Sequence, residues 1–155
     1  MEVVLEGRDF AADAAEKGLL EQGFVVRRAR PGDGESIAAL CESEGYPGWG
    51  TGTAAAVQRE HPTLFVAEER GVVRAFAAHS LGLPSHFGPM LTAAGLRGLG
   101  LGSVLLKRCL QDWQRLGLER CEIIWAGPLS FYARSVGATM GRAFWTFQKQ
   151  LAQLP

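Results

Sequence analysis

The chain has 155 residues, of which 47% are hydrophobic and 21% charged, enough for one globular domain with its own core. Sixteen basic residues balance sixteen acidic ones, so the net charge gives no reason to expect binding to nucleic acid or to a membrane surface. The three cysteines lack metal-binding spacing, no apolar run is long enough to cross a membrane, and the N-terminus has no signal-peptide pattern. We therefore expect a cytoplasmic protein without a bound metal.

Hydrophobic periodicity and turn residues predict an alternation of helices and strands with a hairpin in the middle. Residues 1–23 have the pattern of a strand-helix extension, and residues 24–155 that of one domain. The predicted strands are 3–5, 24–30, 63–68, 72–80, 86–92, 121–125 and 143–149. The predicted helices are 10–20, 35–41, 53–60, 102–116 and 129–136, with a breaker-rich loop at 45–50.

A glycine-rich loop joins the strand 86–92 to the longest predicted helix. Such a loop at a helix N-terminus forms an anion site, because free backbone N–H groups point outward and the helix dipole adds partial positive charge. Glycines at 98, 100 and 102 remove the Cβ atoms that would hold a diphosphate away from those groups. The loop therefore predicts phosphate binding.

Two well-known phosphate motifs fit this loop poorly. A P-loop requires a lysine before its Ser or Thr, but Ser103 follows Gly102 directly. A dinucleotide fingerprint requires a third glycine where Ser103 stands, and a carboxylate at the end of the next strand. Glu122 lies near the start of that strand, so neither motif describes the site.

Two segments resemble motifs of the GNAT (GCN5-related N-acetyltransferase) superfamily. Arg97, Gly100 and Gly102 fill the core pattern of motif A, Arg/Gln-x-x-Gly-x-Gly/Ala. Residues 127–138 are similar to motif B, a helix with an aromatic pair that ends at a Gly-apolar step. The resemblance covers about residues 24–150. It implies an α/β (α+β) GNAT fold, a mixed and mostly antiparallel sheet flanked by helices, with splayed central strands.

The resemblance implies an acetyl-CoA-dependent N-acetyltransferase in which a primary amine of a small metabolite attacks directly, without a metal. A backbone N–H near Leu91 is expected to polarise the thioester carbonyl. Tyr132 matches the position of a tyrosine that assists departure of the thiolate. The residues that the resemblance places around acetyl-CoA are Met90, Leu91, Thr92, Arg97, Gly98, Leu99, Gly100, Leu101, Gly102, Ser103 and Tyr132.

The base that accepts the amine proton is left open by the sequence. We select Glu44, beside the loop 45–50, as its first candidate. The other candidates are Glu42, His79 and His86, and the candidate pocket aromatics are Tyr46, Trp49 and Trp125.

Two departures from the family pattern keep alternatives open. No asparagine follows the strand 121–125, where many family members place one, so a non-catalytic acyl-CoA-binding or regulatory domain is an alternative. A protein or peptide acetyltransferase would differ only in its acceptor groove. Residues 1–23 resemble the end of another GNAT unit, or they pack against a partner subunit in a homodimer.

Overall fold

The computed structural model describes residues 1–149, and residues 150–155, the end of the predicted domain, lie outside the described residues. The strands are β1 (Glu2–Val4), β2 (Phe24–Arg28), β3 (Leu64–Glu69), β4 (Val72–His79), β5 (His86–Thr92) and β6 (Arg120–Ile123). The helices are α1 (Asp13–Glu21), α2 (Gly34–Ser43), α3 (Pro47–Val57), α4 (Leu101–Arg115) and α5 (Leu129–Val136).

The six strands form a single mixed sheet in the order β1-β6-β5-β4-β3-β2. Every neighbouring pair is antiparallel except β5 and β6, which are parallel. The predicted α/β class with a mostly antiparallel sheet is confirmed. Residues 1–23 do not stand apart from it, because β1 pairs with β6 at one end of the sheet.

Each face of the sheet is covered by helices. On one face, α4 buries its apolar side, with Leu105, Cys109 and Trp113 fully buried among residues of β1, β4 and β5. On the other face, Ile37 and Val57 from α2 and α3 pack against the sheet. Each fully buried large apolar side chain stabilises the fold by about 2 kcal/mol, so this packing holds the site elements in place.

Helix α3 begins six residues before its predicted start. The sequence 45–50 suggests a loop, but Pro47 occupies the first turn of the helix, where its missing N–H costs nothing. Gly50 is buried against α2, and a Cβ there would lie 3.4 Å from the Cα of Ala38. The glycine therefore serves close helix packing, which sequence periodicity does not reveal.

The predicted last strand, 143–149, is wrong. Residues 141–149 have no regular secondary structure, and Thr139 makes an isolated bridge with Glu2. The physical reason is competition for a sheet edge: β6 already has β5 on one side and β1 on the other. The aromatic residues of this segment stay exposed.

The other predicted elements are present with end shifts of up to three residues, and 86–92 and 129–136 match in full. In the part of the chain that the structure covers, no helix has the length and apolar character needed to cross a membrane.

Candidate active site

A pocket opens where two central strands separate. β5 and β6 pair only at His86 with Glu122 and at Phe87 with Ile123. Beyond these pairs the strands diverge, and a cavity of about 1090 Å³ lies between β5, α3, α5 and the start of α4. This is the splay that the family resemblance implies.

One end of the pocket is formed by the glycine loop, residues 97–103. Gly98 and Gly100 have φ values of 88° and 93°, a left-handed conformation that glycine adopts without strain. Gly100 precedes the first turn of α4. Among residues 1–149, no acceptor receives a hydrogen bond from the backbone N–H groups of 98–103. These donors, aligned with the helix dipole, form a site for an anion.

Gly102 lies in close contact with the neighbouring elements. A Cβ at this position would lie 3.1 Å from the Cε of Met90 and 3.6 Å from the Phe131 ring. The lack of a side chain here lets the first turn of α4 lie close to β5 and α5.

Glu44 joins the end of α2 to the glycine loop. Its Oε1 accepts a hydrogen bond from the backbone N–H of Ala94 at 2.9 Å, and its Oε2 pairs with Arg97 at 2.9 Å. Arg97 also donates through Nε to the carbonyl of Thr92 at 3.2 Å. Glu44 does not line the pocket, whereas Arg97 does. The carboxylate of Glu44 therefore ties the end of α2 to the loop.

The register of β5 decides which backbone N–H groups face the splay. Ala93 donates to the carbonyl of Arg74 on β4 at 3.0 Å, and Leu91 pairs with Phe76 in the same register. Because hydrogen-bonded pairs alternate along an antiparallel ladder, the N–H of Leu91 also faces β4. The N–H groups of the residues on either side, at 90 and 92, face the opening. The N–H of Leu91, the donor that the family resemblance implies, therefore does not face the opening.

Tyr132 lies in the pocket wall, with its ring packed between Phe87 and Phe131 at centroid distances of 6.2 Å and 5.1 Å. Burial raises the pKa of Tyr132 to about 12. Its hydroxyl makes no hydrogen bond with any residue from 1 to 149. Every fully buried side-chain polar atom in that part of the chain has a hydrogen-bond partner, so the hydroxyl of Tyr132 is not fully buried. The hydroxyl thus reaches the open pocket as a protonated donor.

The predicted bases fall in three environments. Glu42 is exposed and outside the pocket lining, and Glu44 is tied to Arg97. His79 is fully buried and contacts Asp112 at 3.1 Å. Only His86 of the four lines the pocket, at the start of β5.

His79 belongs to a polar network between the sheet and α4. Asp112 accepts hydrogen bonds from His79 and from Arg28. Burial alone would raise the pKa of Asp112, but these two donors outweigh it and hold the pKa well below its usual range. Ser80 and Trp113 complete the network on the other side of the imidazole. We assign this network to stabilising the packing of α4 on the sheet.

The far end of the pocket is aromatic. The rings of Tyr46 and Trp49 stack with centroids 4.3 Å apart and planes 21° from parallel. Trp125 follows β6 with a φ of 50° and is 89% exposed. We call Tyr46, Trp49 and Trp125 the aromatic wall; all three were sequence candidates, and all line the pocket.

Of the predicted acetyl-CoA residues, all line the pocket except Leu99, which is 43% exposed. Ile124 and Phe131 also line it and were not selected as site residues. Phe131 has a sequence signal, the aromatic pair of motif B, whereas Ile124 has none. Within 1–149, no group of three or more His, Cys, Asp or Glu side chains is placed to hold a metal ion.

Comparison with solved structures shows the fold. A GCN5-related glucosamine N-acetyltransferase region of a fungal multi-domain GH3 beta-N-acetylglucosaminidase is 18% identical, with a TM-score of 0.68 over 87% of this chain. This chain spans only 19% of that protein. An aminoglycoside acetyltransferase from an uncultured soil metagenomic sample, solved with sisomicin, is 12% identical, with a TM-score of 0.58 over 86% of this chain and 99% of its own.

An aminoglycoside N-acetyltransferase solved with CoA is 14% identical, with a TM-score of 0.56 over 83% of this chain and 95% of its own. No protein-family model and no curated protein sequence matches the chain. The chain has the fold of the GCN5-related N-acetyltransferases, as its sequence resemblance implies.

Proposed function

We propose that this protein is an acetyl-CoA-dependent N-acetyltransferase that acts on a primary amine of a small molecule. The observation that supports it best is a single pocket that joins the free N–H groups of 98–103, the open edge of β5 and the hydroxyl of Tyr132. The fold, shared with aminoglycoside acetyltransferases solved with CoA or with sisomicin, is consistent with this role.

The residues present fit the chemistry of acetyl-CoA. Free backbone N–H groups at the start of α4 match a pyrophosphate, and the left-handed glycines leave them uncovered. The guanidinium of Arg97, held by Glu44, lies at the same end. When bound, acetyl-CoA supplies an acetyl group activated as a thioester.

The open edge of β5 provides hydrogen-bond donors for the acetyl carbonyl oxygen. The backbone N–H of Met90 or Thr92, rather than that of Leu91, is available to stabilise negative charge that develops on the acetyl oxygen. Both groups are held by the β4 ladder, so the donors need no rearrangement during the reaction.

Tyr132 assists the leaving thiolate by hydrogen bonding. With a pKa of about 12, its hydroxyl stays protonated at neutral pH. Full proton transfer to a thiolate, whose conjugate acid has a pKa of about 8.5, would be uphill by about 5 kcal/mol. Donation of a hydrogen bond to the sulfur is therefore its role, and the thiolate leaves as a weakly basic group.

His86 is our candidate for accepting the proton of the attacking amine, directly or through water. It is the one imidazole that lines the pocket, and no carboxylate does so within the described chain. Glu44, our first choice from the sequence, then acts as a positioning residue through Arg97 and Ala94.

The experiment that tests the proposal has two arms. Calorimetric titration measures acetyl-CoA binding, and release of free CoA thiol is then followed with a panel of primary amines. Binding followed by amine-dependent thiol release is the expected result. Binding without release on every amine would support the alternative of an acyl-CoA-binding regulatory domain, and release only with peptide amines would support a protein acetyltransferase. Failure to bind any CoA ester would contradict all three.

A further inference from the structure

The acceptor end of the pocket exposes large apolar side chains that the fold itself does not use. Tyr46, Trp49, Ile124 and Trp125 are 42%, 37%, 39% and 89% exposed, and all four line the same cavity. Large apolar groups gathered in this way around a cavity, rather than scattered singly, indicate a surface that a ligand covers.

The aromatic wall is held in place before any ligand binds. Tyr46 caps α3 and accepts a backbone hydrogen bond from Trp49 at 3.0 Å, so the two rings stack on a fixed turn. Burial of Gly50 against Ala38 anchors that turn on α2. A preformed wall loses little entropy when a flat or apolar group packs on it.

Trp125 has no structural explanation in its own surroundings. Its φ of 50° is unfavourable for a tryptophan, and its ring is almost fully exposed. An exposed aromatic side chain in a costly backbone conformation beside a cavity is typical of a binding position.

Charge decides between classes of amine. Within the described chain, no Asp or Glu lines the cavity, and the charged residue that does line it, Arg97, is already paired with Glu44. A substrate with several ammonium groups would find no carboxylate partner in this lining. One ammonium group, by contrast, is accommodated by the faces of the tryptophan and tyrosine rings.

We infer that the acceptor is a small monoamine with an aromatic or apolar body, such as an arylalkylamine, rather than an amino sugar or a polyamine. The inference rests on the proposed acetyltransferase function. The aromatic wall packs against the body of the amine and orients its amino group toward the splay of β5 and β6.

The test compares four amines by kcat/KM: 2-phenylethylamine, 2-cyclohexylethylamine, glucosamine and spermidine. The first two are expected to exceed the last two by about 10-fold or more, the scale of a well-filled apolar pocket. A higher kcat/KM for glucosamine or spermidine than for the other two amines would overturn the inferred acceptor class. It would not contradict the proposed transferase function. No turnover of any amine, with acetyl-CoA bound, would overturn the proposed function itself.

Two matched variants test whether the preference for 2-phenylethylamine depends on the aromatic wall. Trp125→Ala is expected to lower kcat/KM for 2-phenylethylamine about 10-fold without changing acetyl-CoA affinity. Trp145→Ala is the control, because Trp145 is equally exposed, at 86%, and lies outside the pocket lining. Equal effects of the two variants would overturn the assignment of the wall.

A third variant tests the charge argument by gain of activity. Ile124→Glu places a carboxylate on an exposed pocket position and should raise kcat/KM for spermidine at least about 5-fold relative to 2-phenylethylamine. If the ratio of kcat/KM for spermidine to that for 2-phenylethylamine is unchanged, and the variant has the melting temperature of the parent protein, the charge argument is overturned. Polyamines would then not be excluded by the lack of a carboxylate in the described pocket lining.

Discussion

The two ends of the pocket are built from different kinds of atoms. The glycine loop presents backbone N–H groups at the start of one helix, within seven consecutive residues. The acceptor end presents side chains from α3, the start of β5 and the turn after β6, which are far apart in sequence. A backbone site keeps its chemistry wherever the turn and helix are kept, whereas a side-chain site changes with each substitution. Under the proposed function, the first end binds the cosubstrate and the second selects the acceptor.

The largest predicted effect is a loss of acetyl-CoA affinity, caused by a substitution that disrupts only the backbone end of the pocket. Gly100→Val places a branched side chain over the free N–H groups, and we expect acetyl-CoA affinity to fall about 100-fold. Gly117→Val is the matched control, since Gly117 follows the other end of α4 with a similar φ of 77° and, like Gly100, has open space around it.

Both glycine variants should lose similar stability, about 1–2 kcal/mol, because both force a branched residue into a left-handed conformation. Calorimetry of acetyl-CoA binding and chemical denaturation separate the two effects. Equal losses of affinity in the two variants would contradict the glycine loop as the phosphate site.

The next largest effect is expected on kcat, because the chemical step takes place between the two ends of the pocket. Tyr132→Phe removes the hydroxyl but keeps the ring packing on Phe87, so kcat should fall about 30-fold while acetyl-CoA affinity stays within about 2-fold. Single-turnover kinetics and calorimetry measure the two quantities. Unchanged kcat would remove Tyr132 from the mechanism.

The pH profile sharpens the role of the same hydroxyl. Burial raises the pKa of Tyr132 to about 12, so its protonated, donating form persists throughout the range where an ordinary tyrosine loses its proton. The log of kcat should therefore show no fall near pH 10 that depends on Tyr132. A fall near pH 10 in the parent protein that disappears in Tyr132→Phe would contradict this.

A smaller pair of effects distinguishes the candidate bases. His86→Gln should lower kcat about 10-fold, because it removes the imidazole that lines the pocket. Glu44→Gln should change kcat less than about 3-fold and raise KM for acetyl-CoA, because it weakens only the pairing with Arg97. The reverse order of effects on kcat would restore Glu44 as the base.

The sequence predicts the backbone end well and the side-chain end poorly, for physical reasons. Glycine spacing and helix periodicity are local signals, so the glycine loop, α4 and α5 are readable from consecutive residues. Two features depend instead on sheet pairing: the ladder turns the N–H of Leu91 toward β4, and β1 occupies the place beside β6, so 143–149 forms no strand.

The acceptor end shows the same limit. Tyr46, Trp49 and Trp125 were candidates because they are aromatic, but nothing local places them around one cavity with His86. Glu44 stands beside the expected loop in sequence, yet its carboxylate turns to Ala94 and Arg97. Side-chain direction follows from tertiary packing, which local patterns do not encode.

The central claim is that one pocket binds acetyl-CoA at the glycine loop and passes its acetyl group to an amine at the aromatic wall. Mass spectrometry of a reaction with isotope-labelled acetyl-CoA and 2-phenylethylamine tests it most directly. We predict the labelled N-acetyl amine and an equal amount of free CoA with the parent protein, and about 100-fold less of both with Gly100→Val at subsaturating acetyl-CoA. Acetyl-CoA bound at the pocket without any labelled amide from this or the other amines would contradict the claim.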